Sequence, residues 1–332
     1  MLGTIGATPL VRLDQLLSRR GPRVFAKMES FNPGGSIKDR SAAGMVLDKI
    51  RSGELTPERS VVVESSSGNL AIGLAQICRY YGLRFICVID ARTTLRNRSI
   101  LKALGAEVEV VERPDPQTGE LLPVRLARVR ELASTIPHAY WPNQYANPLN
   151  PRAHERTMQE IAEALHGDVD YLFAAVSSCG TLRGCSDYVR RTGMATTIVA
   201  VDAMGSAIFG APVMPRLIPG HGAAVRPDLA TETMADEVVH VSDLECVISC
   251  RRLIRREAVL AGGSSGATVA ALERYAARIP DGANAVLIFP DGGDGYLDTI
   301  YSDEWVTDRF GEVSHLWDSN GSTTFPAYQE AL

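Results

Sequence analysis

The chain has 332 residues, a length that usually accommodates two domains of about 150 residues each. Hydrophobic residues make up 45% of it, which supports packed cores, and the formal net charge is -5. This acidic balance, without a basic tract, argues against a nucleic-acid-binding protein. No apolar run approaches ~20 residues and no signal-peptide pattern stands at the start, so we expect a cytoplasmic protein without a membrane span.

Short apolar strands alternate with helical patterns along the chain. The predicted strands are 23–29, 60–64, 84–90, 107–111, 171–176, 197–202 and 284–289. The predicted helices are 41–50, 68–81, 95–104, 124–136, 181–191, 244–260 and 267–279. Apolar, β-branched strands separated by helices indicate parallel α/β sheets with helices on both faces.

Prolines interrupt this pattern at 142, 148 and 151, which places a boundary near residues 140–151. The polar, weakly periodic end from Gly311 predicts a loose tail. The six cysteines show no CxxC pair and no zinc-like spacing. Those at 78, 87, 246 and 250 fall in helical or strand patterns, so we expect buried free thiols in a reducing compartment.

Lys38 follows a Pro-Gly-Gly turn between the first predicted strand and helix. The turn lets the backbone bend sharply and puts Lys38 in the first turn of the helix. A cation is disfavoured there by the helix dipole. A neutral amine, or an imine with a cofactor aldehyde, suits the position better, and activated lysines carry out Schiff-base chemistry. The alternative is a solvated surface lysine, and this motif alone does not decide between them.

Four loops concentrate polar and glycine residues where ligands bind in parallel sheets. Loop 64–70 offers hydroxyls and an amide at a helix start, as a carboxylate would require, and loop 177–181 could cradle a phosphate. Loop 261–267 carries Ser264, whose hydroxyl could meet a ligand heteroatom. The serines of these three loops could instead be ordinary helix N-caps. Loop 290–296 has two carboxylates but no histidine or third carboxylate near them, so no metal site is predicted.

Taken in chain order, these motifs resemble the fold-type II pyridoxal-phosphate (PLP) enzymes, the cysteine synthase family. The resemblance covers about residues 4–305 and rests on segments 8–13, 32–40, 67–69, 180–181 and 262–266. It implies a tryptophan synthase β-like α/β fold with two parallel-sheet domains and the active site in the cleft between them. It also implies a homodimer that acts on small molecules.

The same resemblance implies a division of the chain. Residues 1–35 with 141–312 would form a large PLP-binding domain, and residues 36–140 a smaller, mobile substrate domain. Residues 313–332 would be a C-terminal tail.

By this resemblance Lys38 is the catalytic residue that binds PLP covalently. Asn69 would contact the phenolic oxygen of the cofactor and Ser264 its pyridine nitrogen. Ser66 and Ser67 would bind the carboxylate of the amino-acid donor. The phosphate of the cofactor would lie in a cup formed by Ser177, Ser178, Cys179, Gly180 and Thr181. Cys179 has no histidine in its motif to activate it, so it is predicted to pack rather than to attack.

Segments 140–147, 199–203, 208–210 and 301–303 resemble a subfamily that joins O-phospho-L-serine to L-glutamate in diaminopropionate and siderophore biosynthesis. The resemblance implies a substrate role for Gln144. A dianionic acceptor calls for cations and hydroxyls, and the candidates are Arg125, Tyr145, Ser177 and Arg183.

Several alternatives remain open at this stage. Arg125 could belong to a solvated basic helix face with Arg128 and Arg130, and Tyr145 could simply pack. Gly295 stands where such relatives are expected to have an arginine, which leaves open how the leaving phosphate is held. The chain could instead be a sulfhydrylase that makes cysteine from O-phosphoserine or O-acetylserine. It could also be a cofactor-binding subunit without turnover, although Lys38 argues against that.

Overall fold

A computed structural model of the protein describes residues 1–17, 21–116 and 121–318. Its ten strands are β1 Leu10–Leu13, β2 Arg23–Met28, β3 Val61–Ser65, β4 Arg84–Asp90, β5 Glu107–Val111, β6 Ala139–Tyr140, β7 Tyr171–Ala175, β8 Thr197–Ala203, β9 Glu237–Val241 and β10 Asn284–Phe289. Six of them form one sheet in the order β1-β2-β10-β7-β8-β9, and four form a second in the order β5-β4-β3-β6. Neighbouring strands run parallel, except that β1 pairs with β2 antiparallel.

The described helices are α1 Lys38–Arg51, α2 Asn69–Tyr81, α3 Leu95–Ala103, α4 Leu122–Thr135, α5 Leu149–Ala164, α6 Gly180–Thr192, α7 Asp243–Glu257, α8 Gly263–Tyr275, α9 Asp303–Phe310 and α10 His315–Asp318. Helices α7 and α8 cover one face of the six-stranded sheet, and α5 and α6 cover the other. Helices α1 and α2 cover one face of the four-stranded sheet and α4 the other. None of the described helices is long and apolar enough to span a membrane.

The central strands explain why the sequence pattern predicted this architecture. Every residue of β3 and of β10 is buried, because helices lie on both faces of each sheet. The predicted α/β fold with parallel sheets is therefore confirmed. Strands β4, β5 and β10 have the predicted bounds. The cysteines at 78, 87, 246 and 250 are buried and form no disulfide, as expected, and the same holds for Cys179 and Cys185.

Helix α5 was missed at the sequence level, because its prolines were taken as interruptions. Pro148 is the N-cap residue and Pro151 lies in the first turn, where a helix needs no backbone N–H donor. Further along, Met158 and Ile161 are fully buried in the core beneath the six-stranded sheet. The prolines thus mark the start of a helix. Strands β1, β6 and β9 and helix α9 were also missed.

The expectation of a loose tail from Gly311 is wrong for the part that the structure describes. Trp317 is buried in the core of the six-stranded sheet, and Val313 and Leu316 pack against the same core. Residues 319–332 lie outside the described residues.

Candidate active site

The turn that carries Lys38 is attached to the end of the central strand β10. The Ile37 backbone N–H donates to the Pro290 carbonyl at 2.8 Å, and Ser36 forms a β-bridge with Asp291. Lys38 is the first residue of α1, as predicted. Burial lowers the pKa of Lys38, although Cys179 and Asp291 oppose the shift. The surface-lysine alternative is therefore disfavoured, and the environment suits a neutral amine.

A buried ionic cluster holds α1 in place behind Lys38. The guanidinium of Arg40 donates from Nε to Glu29 Oε2 at 2.7 Å and from Nη2 to Glu160 Oε2 at 2.6 Å. Lys27 Nζ donates to the same Glu160 oxygen at 2.8 Å. The cluster joins α1 to β2 and α5, and removing one member of such a cluster leaves a buried charge unpaired. It therefore fixes the helix on which Lys38 stands.

The helices that follow three of the predicted binding loops, α2, α6 and α8, have N-termini without a side-chain cap. The N-cap residues of α2, α6 and α8 are Gly68, Cys179 and Gly262, and none of them makes a side-chain capping bond. By contrast, Thr94 caps α3 and Ser242 caps α7. An uncapped N-terminus leaves backbone N–H donors and a positive dipole end for an anion. The serine N-cap alternative for these three loops is thus wrong.

The loop predicted to hold the phosphate, residues 177–181, is packed tightly against α5. A side chain at Gly180 would collide with the Asn150 amide, so α6 can approach α5 only with glycine there. Asn150 Nδ2 donates to the Gln144 carbonyl at 2.7 Å and to Ser178 Oγ at 3.4 Å. The structure thus brings the cup residues 177–181 together with Gln144. Arg183, one turn into α6, donates to the Leu229 carbonyl at 3.3 Å.

Asp291 lies where the proposed cofactor residues meet. Its Oδ2 accepts hydrogen bonds from Asn69 Nδ2 at 2.8 Å and from the Tyr296 hydroxyl at 3.0 Å. Its Oδ1 lies against Gly262, where a Cβ could not fit, and has no hydrogen-bond partner among the described residues. Ser264, two positions further, is buried in the first turn of α8. Sequence reasoning considered Asp291 only as a metal ligand and missed this place in the site.

The loop predicted to bind a carboxylate is held by its neighbours. Asn97 Nδ2 donates to the Ser67 carbonyl at 2.9 Å, and the Cys87 thiol donates to the Ser66 carbonyl at 3.2 Å. Both contacts bind backbone carbonyls of the loop and so hold the chain that leads into α2. Asn97 was not identified from the sequence.

Arg125 is not part of a solvated helix face. It pairs with Asp90 at 3.2 Å, and the two side chains are only 13% and 10% exposed. Burial raises the pKa of Tyr145 and Arg125 lowers it, so the two side chains are electrostatic neighbours. Arg128, on the same helix, pairs with Glu109 and is 37% exposed. Arg125 is therefore buried and acts electrostatically on Tyr145, whereas Arg128 lies at the surface.

Glu64, at the end of β3, is a further buried acid that sequence reasoning passed over. Burial raises its pKa to about 7, although Trp141 Nε1 donates to its Oε1 at 2.9 Å. The charge of Glu64 also raises the pKa of Tyr145. A carboxylate at the carboxyl end of an apolar strand was the signal that could have found it.

Gly295, the departure from the expected arginine, has an arginine guanidinium beside it. Arg96 Nη1 lies 3.7 Å from the position that a Cβ on Gly295 would take. Arg96 stands on α3 and forms an ion pair with Asp294. A cation from α3 thus lies within van der Waals contact of the position that a side chain at 295 would take.

These features fit PLP. Lys38 offers an amine whose protonated form is disfavoured, the uncapped α6 offers donors for a phosphate, and Asp291 retains an unpartnered buried oxygen. Lys38, Asn69 and Ser264 are the residues that would hold the reactive ring.

Comparisons with known proteins agree. Residues 1–291 match the family described as pyridoxal-phosphate dependent enzyme. The O-ureido-L-serine-bound K43A mutant of O-ureido-L-serine synthase is 30% identical, with a TM-score of 0.83 over 95% of both chains. The O-acetylserine-dependent cystathionine β-synthase from Helicobacter pylori is 30% identical, with a TM-score of 0.84 over 91% of this chain and 98% of that one. O-acetylserine sulfhydrylase isoform 3 from Entamoeba histolytica is 31% identical, with a TM-score of 0.83 over 90% of each.

The chain therefore belongs to the family of PLP-dependent enzymes, in its fold-type II form. Within that family it is a β-substituted alanine synthase, a transferase that replaces the β-substituent of a serine derivative.

Proposed function

We propose that the protein joins O-phospho-L-serine and L-glutamate to give N-(2-amino-2-carboxyethyl)-L-glutamate and phosphate. The observation that carries the choice of acceptor is Arg125, a buried guanidinium whose charge acts on Tyr145 and lowers its pKa. Its Nε has no hydrogen-bond partner among the described residues. A sulfide acceptor needs no such group, whereas a dicarboxylate acceptor is matched by an arginine fork.

The donor amino acid would bind at the start of α2. Its carboxylate would take the free backbone N–H groups and the hydroxyls of Ser66 and Ser67. The contacts of Asn97 and Cys87 to the carbonyls of this loop support that role, because they orient the backbone before substrate arrives.

Lys38 would move the proton at the α-carbon of the donor. Bound PLP supplies an electron-withdrawing ring that makes this proton acidic and allows the β-substituent to leave. Because burial lowers the pKa of Lys38, the released amine loses its proton more readily than an exposed lysine does and is better suited to accept the α-proton. Ser264 is neutral and would leave the ring nitrogen unprotonated, which favours prompt loss of the leaving group over transamination.

The replacement balances in atoms and charge. Lys38 takes the α-proton, and the Cβ–O bond of phosphoserine breaks with its electron pair leaving on phosphate. The unprotonated α-amine of glutamate then forms a bond to Cβ and gives up one proton, which the departed phosphate takes up to become the hydrogen phosphate dianion, and Lys38 returns a proton to the α-carbon.

The leaving phosphate needs a cation, and Arg96 is proposed for that role. It lies beside Gly295, and its helix neighbour Asn97 contacts the carboxylate loop at Ser67. Its present partner, Asp294, is 61% exposed. Exposed pairs of this kind contribute little, about 0–1 kcal/mol, so a phosphate dianion can take the place of the carboxylate. We further propose that residues 36–140, which carry Arg96, close over the donor.

One experiment tests the reaction directly. The purified enzyme is incubated with O-phospho-L-serine, glutamate and sulfide are offered in separate reactions, and each amino-acid product is identified by its mass. The proposal expects the glutamate adduct and equimolar phosphate. Cysteine with sulfide and no adduct with glutamate would establish the sulfhydrylase alternative. Absence of phosphate release from PLP-loaded protein would indicate a subunit without turnover.

A further inference from the structure

The carboxylate of Asp291 receives one hydrogen bond from each side of the site. Asn69 donates from the first turn of α2, which packs on the four-stranded sheet. Tyr296 donates from the segment that follows β10, which is a strand of the six-stranded sheet. Asp291 itself is only 8% exposed and lies next to the Gly262 loop. It is thus the group that connects Asn69 to the larger sheet.

We propose that Asp291 is a positioning residue that fixes the rotation of the Asn69 amide and so decides which of its groups faces the cofactor. The inference rests on the proposed contact between Asn69 and the phenolic oxygen of PLP. An ionised carboxylate only accepts, so it must face the NH2 group of Asn69 rather than its carbonyl. The amide has two N–H groups, and the second is then available to the phenolic oxygen. Asp291 thereby keeps that oxygen in its deprotonated form.

The charge state of Asp291 supports this arrangement. Burial raises its pKa to about 6 and Asp294 reinforces the shift, while hydrogen bonds from Asn69 and Tyr296 and the nearby Lys38 oppose it. Well above that pH the side chain is a carboxylate and cannot donate. A carboxylate at position 291 gives the Asn69 amide a single orientation because it can only accept. An asparagine at position 291 could both donate and accept, so it would allow two orientations of Asn69.

The test replaces Asp291 with asparagine, which has the same shape, so the contact with Gly262 is kept. The measurement is the absorbance of bound PLP without substrate, well above pH 6. The ratio of its long- to short-wavelength bands reports whether the phenolic oxygen carries a proton. We expect Asp291→Asn to shift this ratio toward the protonated form and to weaken PLP binding to the apoenzyme about fivefold to tenfold, as for one lost hydrogen bond. Asp298→Asn, an exposed change on the same segment, should alter neither.

A double-mutant cycle separates positioning from general structural damage. In an Asn69→Ala background, Asp291→Asn should have no further effect on the band ratio, because the amide through which it acts is gone. An equal effect in both backgrounds, or an unchanged ratio in Asp291→Asn alone, would overturn the proposal. If Asp291→Asn does not fold, Tyr296→Phe removes the other donor and should leave the ratio near that of the wild type, since Asp291 still faces Asn69. A large shift in Tyr296→Phe would count equally against the proposal.

This result is independent of the substrates, since neither phosphoserine nor glutamate is present. A failure here leaves the proposed β-replacement untouched. Conversely, a wrong acceptor amine would not change the band ratio.

Discussion

Arg125 and Asp90 form an ion pair at 3.2 Å between α4 and the carboxyl end of β4, with both side chains largely buried. The carboxylate holds the guanidinium near Tyr145 without using all of its donors. A buried, incompletely paired guanidinium is costly unless a ligand completes its hydrogen bonds. This cost favours a binding role over a purely structural one.

Arg125→Ala should therefore weaken use of the acceptor and spare the donor. Loss of a charge-assisted bond costs about 1.5–3 kcal/mol, or roughly 10- to 150-fold in an equilibrium or rate. We expect kcat/KM for glutamate to fall by that factor, while phosphate release from phosphoserine continues and pyruvate accumulates. The matched control is Arg128→Ala on the same helix, where the side chain is 37% exposed and pairs with Glu109. An unchanged kcat/KM for glutamate in Arg125→Ala would indicate that the acceptor binds near Arg183 and Ser177 instead.

Lys38→Ala should abolish turnover and the absorbance of the covalently bound cofactor. The reason is that the amine both binds PLP and moves the α-proton in the proposed mechanism. The protein should stay folded, because the ionic cluster that anchors α1 begins at Arg40 and does not involve Lys38. Circular dichroism checks the fold, and a phosphate assay checks turnover. Turnover at the wild-type rate would contradict the assignment of this lysine.

Ser264→Asp should slow loss of the leaving group. An aspartate would favour a protonated ring nitrogen, which stabilises the negative charge developed at the α-carbon and reduces the drive to expel phosphate. Each 1.4 kcal/mol added to the barrier lowers the rate about tenfold. Single-turnover phosphate release from phosphoserine, without acceptor, measures this step. Ser264→Ala, which keeps a neutral side chain at this position, serves as the reference. Equal rates in Ser264→Asp and the wild type would refute the electronic argument.

Arg96→Ala should discriminate between donors by their leaving groups. If Arg96 binds the departing phosphate, KM for phosphoserine rises by about 10-fold or more, the scale of a charge-assisted bond, while use of O-acetylserine changes little. Because Gly295 leaves space for the guanidinium, Gly295→Arg in the same background should restore part of the loss. Parallel assays with both donors provide the measurement. Equal effects on the two donors would show that Arg96 acts on closure of the cleft rather than on phosphate.

The sequence predicted those parts of the site that depend on local residues. The glycine and proline turn before Lys38 sets the bend and the start of α1 within a few residues, so the motif was sufficient. The partner of Asn69 was not predictable in this way, because Asp291 is 222 positions away and meets it only when the two sheets pack. The burial of Arg125 likewise depends on Asp90, in a different element. Local composition made Arg125 look like its exposed neighbour Arg128.

Glu160→Gln should destabilise the protein in a pH-dependent manner. Although burial opposes it, hydrogen bonds from Arg40 and Lys27 hold the pKa of Glu160 below its usual 4.5. A folded-state pKa below the unfolded value stabilises the protein fully above about pH 4.5, and this contribution is lost as the pH falls toward the folded pKa. The free energy of unfolding should therefore drop by about 3–5 kcal/mol near neutral pH, the usual cost of breaking a buried ion pair.

Urea unfolding at neutral pH and at several values below pH 4.5 measures the Glu160→Gln effect, and the difference from the wild type should shrink as the pH falls. Glu163→Gln, an exposed change one turn further on α5, is the control and should leave both stability and its pH dependence near the wild type. A difference that stays constant down to the acid limit would mean that Glu160 contributes through packing. In that case Glu29 would be the carboxylate that holds Arg40, and with it α1 and Lys38, against the six-stranded sheet.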